Sequence, residues 1–134
     1  MAISIECAGT GIKEMAAQAF RTPPMVTRMG DYYRCHYRSY YDATADIDPE
    51  PFLGPFAAHL VSGDRVLDVG CGSGRDLLWL KRQGMRVTGF EGSPGLAGLA
   101  RKHADCRVIE GDFTTFDFAD LAMDAVLMCG ARVH

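Results

Sequence analysis

Along the middle of this chain, short apolar runs alternate with amphipathic stretches, a pattern that predicts strands separated by helices. Val66, Leu67 and Val69 make the first near-continuous run, and residues 86–91, 106–113 and 123–129 make three more. Runs of this kind suit strands buried on both faces of a parallel sheet. Residues 52–61 form an apolar helix that leads through the turn Ser62-Gly63-Asp64 into the first strand. The helix over 76–83 ends on basic residues and Gly84, as a helix C-terminus should. Ser93 and Pro94 open the next helix as N-cap and first-turn proline. Strand and helix in alternation predict an α/β fold with a doubly wound, largely parallel sheet. Right-handed crossovers then put the turn after the first strand at the carboxyl ends of the strands, where ligands bind.

Upstream, the pattern divides at residue 30. Residues 1–30 read as an N-terminal appendage: Ile3, Ile5 and Cys7 alternate as one face of a short strand, and Ile12, Met15, Ala16, Ala19 and Phe20 form a helical stripe that Pro23-Pro24 stops. Residues 31–134 read as the domain proper. It opens with Asp31 capping an aromatic, basic helix over 31–41, in which Tyr33, Tyr37, Tyr40 and Tyr41 lie close to one face. Tyrosines and arginines so interleaved can stack on single-stranded nucleic acid, but the same face can cover the open end of a sheet while Arg34 and Arg38 stay in water.

The turn after the first strand carries the chemistry. Residues 66–76, VLDVGCGSGRD, pass from buried strand through a glycine-rich turn into a helix, and the glycines let the backbone turn tightly and approach a ligand. The spacing Gly70-x-Gly72-x-Gly74 differs from the dinucleotide pattern GxGxxG and lacks the GxxxxGK(S/T) of a phosphate-clamping loop. Asp68, two residues before the first glycine, suits a ligand with a cationic group near the loop and would repel a pyrophosphate there. Glu91 lies 21 residues after Gly70, at the end of the second strand, where a carboxylate can accept both hydroxyls of a ribose. The third strand ends in the pair Gly111-Asp112.

Composition narrows the reading only a little. The 134 residues suffice for one small domain with its own core. With 17 acidic and 14 basic residues the chain has little general attraction for nucleic acid. No apolar run reaches membrane-span length, and residues 1–6 lack the basic start and apolar stretch of a signal peptide, so a cytoplasmic protein with no membrane partner is expected. Five scattered cysteines without a CxxC pair fit reduced thiols. His36, His59 and His103 show no metal-ligand spacing, and no metal site is expected.

Taken in order, Asp68/Gly70/Gly72/Gly74, Glu91, Gly111-Asp112 and Asp124-Ala125-Val126 resemble the class I S-adenosylmethionine-dependent methyltransferases, over about residues 32–134. The small-molecule members with LDVGCGSGRD at the first strand are the most similar. The resemblance implies a Rossmann-like methyltransferase core, S-adenosylmethionine as cofactor and a small-molecule acceptor. Gly70, Gly72 and Gly74 would pack against the methionine part and the ribose, with Cys71 contributing backbone and Asp68 near the amino group. Glu91 would take the ribose hydroxyls, and Asp112 and Phe113 would flank the adenine. Tyr40, Gly92, Ser93 and Cys129 complete the cofactor-binding candidates, Tyr40 on a helix that lids the cofactor. The family has a histidine near the cofactor mouth where this chain has His134, which is not assigned as a base; the catalytic residues stay unidentified. A nicotinamide-dependent dehydrogenase shares the first strand and Glu91 but is disfavoured by GxGxG, Asp68 and Gly111-Asp112.

Complete members have seven strands, so four make the core incomplete. The fourth has the composition of an interior strand, and its edge is expected to be covered by a second copy or by a swapped segment 3–7, making a homodimer. Because much of the family's acceptor pocket follows the fourth strand, the alternative is a non-catalytic S-adenosylmethionine-binding or regulatory subunit.

Overall fold

A computed structural model describes residues 35–128. Four strands, β1 (Arg65–Val69), β2 (Arg86–Glu91), β3 (Arg107–Glu110) and β4 (Ala125–Leu127), pair side by side in the order β3-β2-β1-β4, all parallel. Val66 is in register with Val87 on one side and Ala125 on the other. Four helices accompany them: α1 (residues 35–44), α2 (Glu50–Ala57), α3 (Arg75–Arg82) and α4 (Pro94–Ala104). Parallel neighbours need a crossover, and α3 and α4 supply those from β1 to β2 and from β2 to β3. The order reverses at β1, with β2 on one side and β4 on the other. The loop leaving β1 therefore opens at the switch point of the sheet, where α/β folds bind ligands.

Alternation along β1 divides the core. Val66 joins Leu53 and Phe56 of α2, Leu80 of α3, and Ala125 and Leu127 of β4. Beside them, Leu77 of α3 packs on Ala97, Ala100 and Ala104 of α4 and on Val108 of β3. All three helices thus cover one face. The opposite face carries Leu67, Val69, Phe90 and Val126, and the segment between β3 and β4 covers it with Phe113, Phe118 and Met123. Gly89 lets α3 settle on the sheet, since a Cβ there would lie 2.7 Å from Leu77 Cδ1 and 2.8 Å from Cys71 Sγ.

Several boundaries differ from the sequence expectation, each for a local reason. The helix expected over 52–61 ends at Ala57, and His59 and Leu60 continue in tight three-residue turns onto the carbonyls of Phe56 and Ala57. The strand expected over 106–113 stops at Glu110 because Asp112 folds back on the chain, its Oδ1 accepting from Thr114 N at 2.8 Å and Thr114 Oγ1 at 2.6 Å. The fourth strand is three residues long, Ala125–Leu127. Its register is clamped by Arg65, whose Nε and Nη2 each donate to the Asp124 carboxylate at 3.0 Å while Arg65 N donates to Oδ2 at 2.8 Å. That fork holds the Asp124 carboxyl down at about 2. Helix α1 continues past Tyr41 to residue 44. The strand expected at 3–7, the helix at 12–20, the Asp31 cap, Tyr33, Cys129 and His134 lie outside the described residues, as does the boundary at residue 30.

Candidate functional site

The glycine turn begins as an extension of the sheet. Gly70 N and Cys71 N both donate to Phe90 O, at 2.8 and 3.1 Å, and only then does the chain leave β1 for α3. Gly70, Gly72 and Gly74 have φ of +74°, +55° and +83°, so alternate residues sit in the left-handed region that side chains disfavour. The three are not equivalent. A Cβ on Gly74 would stand 3.0 Å from Ala100 Cα, so this glycine brings α3 against α4. A Cβ on Gly72 would instead meet the Tyr40 ring, 2.9 Å from Cε1.

Glu91, at the end of β2, is buried and ties two loops together. Its Oε1 accepts from Gly72 N at 3.0 Å and its Oε2 from Ser93 N at 2.9 Å. Burial raises its carboxyl above the usual range, while the N–H groups of Ser93, Gly72 and Gly92 pull the other way. Sequence reasoning saw Glu91 as a ligand acceptor and missed that it also clips the glycine turn to the start of α4. Ser93 caps that helix as expected, its Oγ accepting from Leu96 N at 3.4 Å.

Beneath the turn lies a carboxyl with no hydrogen-bond donor among the described residues. It belongs to Asp68, which is 1% exposed and whose two carboxylate oxygens are both left without a donor there. Its carboxyl is raised well above the ordinary range, first by burial and then by Asp76 and Glu91, against the opposing pull of Arg75. Asp76, in the first turn of α3, is buried and holds Arg75 Nε at 2.8 Å; Arg75 also lies over the Phe52 ring, 5.0 Å from its centre. The Cys71 thiol is buried and pushed well up by desolvation and by Asp68 and Glu91, which makes it a poor nucleophile.

The methyltransferase-domain family matches residues 66–134, more than half the chain. The chain belongs to this family. Among similar proteins, a malonyl-[acyl-carrier protein] O-methyltransferase of Serratia marcescens is 34% identical over 88 residues, covering 63% of this chain and 34% of the relative. A ubiquinone biosynthesis O-methyltransferase of Pasteurella multocida is 36% identical over 74 residues, covering 50% of this chain and 31% of the relative. A TehB-like SAM-dependent methyltransferase of Corynebacterium glutamicum superposes with a TM-score of 0.51 at 29% identity, over 69% of this chain and 50% of that one. The chain spans about a third of the length of these curated relatives.

Membership makes S-adenosylmethionine the cofactor this methyltransferase site has to fit, and three features fit it. Asp68 offers a buried carboxyl with no hydrogen-bond donor among the described residues. Glu91 keeps lone pairs beyond the two that its backbone donors use, enough for a pair of hydroxyls. Gly72 presents bare backbone beneath Tyr40. The tyrosine helix lies along α4: the Tyr37 ring occupies the space over Gly95, and Tyr41 Oη meets His103 Nδ1 at 3.2 Å. The structure therefore brings Tyr40, Asp68, Gly70, Cys71, Gly72, Glu91, Gly92 and Ser93 to one end of the sheet.

The remaining candidates make structural contacts of their own. Phe113 packs into the aromatic core, edge-on to Phe90 at 6.1 Å and to Phe118 at 5.5 Å. Exposed Asp112 spends its carboxylate on the Thr114 turn. Gly74 serves helix packing, and Cys129 lies outside the described residues. Asp76 is the residue the sequence reading missed; its burial beside Asp68 leaves no signal in a charged first turn that suits any helix. Among the described residues no cluster of histidine, cysteine and carboxylate could hold a metal ion, and no helix is long and apolar enough to cross a membrane.

Proposed function

We propose that this chain is an S-adenosylmethionine-dependent methyltransferase acting on a small-molecule acceptor. The observation that carries the reading is the buried, unpartnered Asp68 carboxylate under a glycine turn that Glu91 clips in place. Glu91 accepts the ribose hydroxyls through its remaining lone pairs. Asp68 supplies negative charge for the amino-acid end, Gly72 lets the backbone approach, and Tyr40 closes over the turn. When bound, the cofactor supplies an electrophilic methyl group on a sulfonium. The protein's task is then to hold donor and acceptor in line and exclude water, which requires no catalytic triad. The acceptor class is supported by relatives named for malonyl-[acyl-carrier protein] and ubiquinone biosynthesis. No observation favours a purely regulatory binder.

The reading extends to a reducing, cytoplasmic setting, in keeping with the free thiols Cys35, Cys71 and Cys106. It also extends to pairing of two copies along the outer edge of β4, which no strand among the described residues covers. Light scattering tests that pairing, and a monomer in dilute solution refutes it. Calorimetry with S-adenosylmethionine, S-adenosylhomocysteine and NAD on one sample tests the cofactor. The first two are expected to bind and NAD not; NAD binding in their place overturns the proposal.

A further inference from the structure

An ionised carboxylate enclosed by protein without a single donor is among the least stable arrangements a folded chain can hold, and taking up a proton relieves it. Asp68 is in that position: it is buried and is the residue among those described whose buried carboxylate oxygens are both unsatisfied. The groups around it do not relieve it. From α3 come Asp76, which adds negative charge, and Arg75, whose guanidinium is already held by Asp76 and by the Phe52 ring. From the end of β2 comes Glu91, a second buried acid. The turn and the start of β3 bring the thiols of Cys71 and Cys106, both of which feel Asp68. The layer on α4 is alanine, Ala97 and Ala100, and α1 brings the Tyr40 phenol over Gly72. Two acids and one occupied guanidinium leave the local field negative.

We propose that Asp68 holds a proton in the free protein and releases it to solvent when the ammonium group of the cofactor's amino-acid arm binds, with Asp76 and Arg75 as positioning residues that set how firmly that proton is held. The inference rests on the cofactor reading above. Charge acts over several ångströms in a site screened by little water, so the ammonium need not touch Asp68 to ionise it. Binding and deprotonation are then linked. Below the pH at which Asp68 ionises in the free protein, each bound ligand must expel a proton, and affinity rises with pH by up to about tenfold per unit. Above that pH it levels off. Burial and the neighbouring acids lift that point well above the ordinary carboxylate range.

Titration calorimetry on the full chain in two buffers of different ionisation heat counts the protons. S-adenosylmethionine and S-adenosylhomocysteine share the ammonium and are both expected to release a proton, whereas 5′-methylthioadenosine, which lacks the amino-acid arm, is expected to release none. Asp68→Asn should bind without release. Asp76→Asn should keep the circular dichroism of the parent and move the affinity plateau to lower pH. Binding whose heat is the same in both buffers overturns the inference and leaves the cofactor reading standing. Release that persists in Asp68→Asn, or that 5′-methylthioadenosine matches, also overturns it, the second result not depending on any variant folding. Failure of both cofactor forms to bind overturns the reading and the inference together.

Discussion

Replacing Glu91 by alanine separates the clip this carboxylate makes from the ribose contact proposed for it. In the free protein the change strips acceptors from Gly72 N and Ser93 N, now held at 3.0 and 2.9 Å. A buried donor left bare costs about 1–3 kcal/mol, but the same change removes a carboxylate whose own burial is unfavourable, so a net stability loss of about 1–2 kcal/mol is expected. The bound state loses more. Hydrogen bonds to a charged acceptor are worth about 1.5–3 kcal/mol, which weakens cofactor binding roughly 10- to 150-fold. Denaturant unfolding reads the first quantity and calorimetry the second, on one preparation. A 2′-deoxyribose analogue of S-adenosylhomocysteine then divides the binding loss: it should bind the parent more weakly than the natural ligand does, but the two should bind Glu91→Ala alike. If the analogue is penalised equally on both proteins, Glu91 only anchors the turn. If folded Glu91→Ala binds S-adenosylhomocysteine as the parent does, the ribose site lies elsewhere.

The glycines and the β4 clamp give further tests. Gly74→Ala combines a left-handed φ of +83° with a Cβ 3.0 Å from Ala100 backbone, so a stability loss of about 2–4 kcal/mol is expected in denaturant unfolding. Gly72→Ala meets only the Tyr40 ring, which can swing away, so it should lose about 1 kcal/mol and register mainly as weaker cofactor binding; the opposite pairing of effects refutes the division of labour. At the start of β4, Asp124 is lowered by Arg65, so the clamp's contribution is present above pH 3.8 and lost as pH falls towards about 2. Acid unfolding curves of the parent and Asp124→Asn should converge across that window, and curves that stay parallel refute the assignment.

The parts of the fold legible in the sequence were those governed by local rules. β2 at 86–91, the Ser93-Pro94 helix start and the glycine break after β1 follow from periodicity, capping and the conformational freedom of glycine, all of which act within a few residues. What stayed hidden depends on neighbours distant in sequence. Nothing in Gly70-x-Gly72-x-Gly74 says that the last glycine faces Ala100, since that contact exists only once α3 and α4 dock. The Arg65 fork that gives Asp124 its role spans 59 residues. That Phe113, expected beside the adenine, packs edge-on to Phe90 was likewise hidden, because that contact forms only once the segment after β3 folds back over the sheet. Asp76 escaped for the same reason: a carboxylate in a helix's first turn is ordinary until Asp68 is found buried beside it.

The coupling through Glu91 bears on how ready the site is before any ligand arrives. The turn is positioned by the same carboxylate proposed to receive the ribose, so a design in which ligand and loop competed for it would have to open on binding. A carboxylate has about four lone-pair positions, and the backbone donors of Gly72 and Ser93 use two. The rest suffice for two hydroxyls without breaking either clip. Binding can therefore proceed on a turn that is already formed, which spares the ordering cost that weakens flexible sites. Asp68 reverses that economy: its buried carboxyl has no donor and keeps a proton until a cation arrives beside it, so ionisation there waits on the ligand. On the proposed reading, a preformed ribose clip beside a carboxyl that ionises only next to a cation selects ligands that carry both a diol and a positive charge.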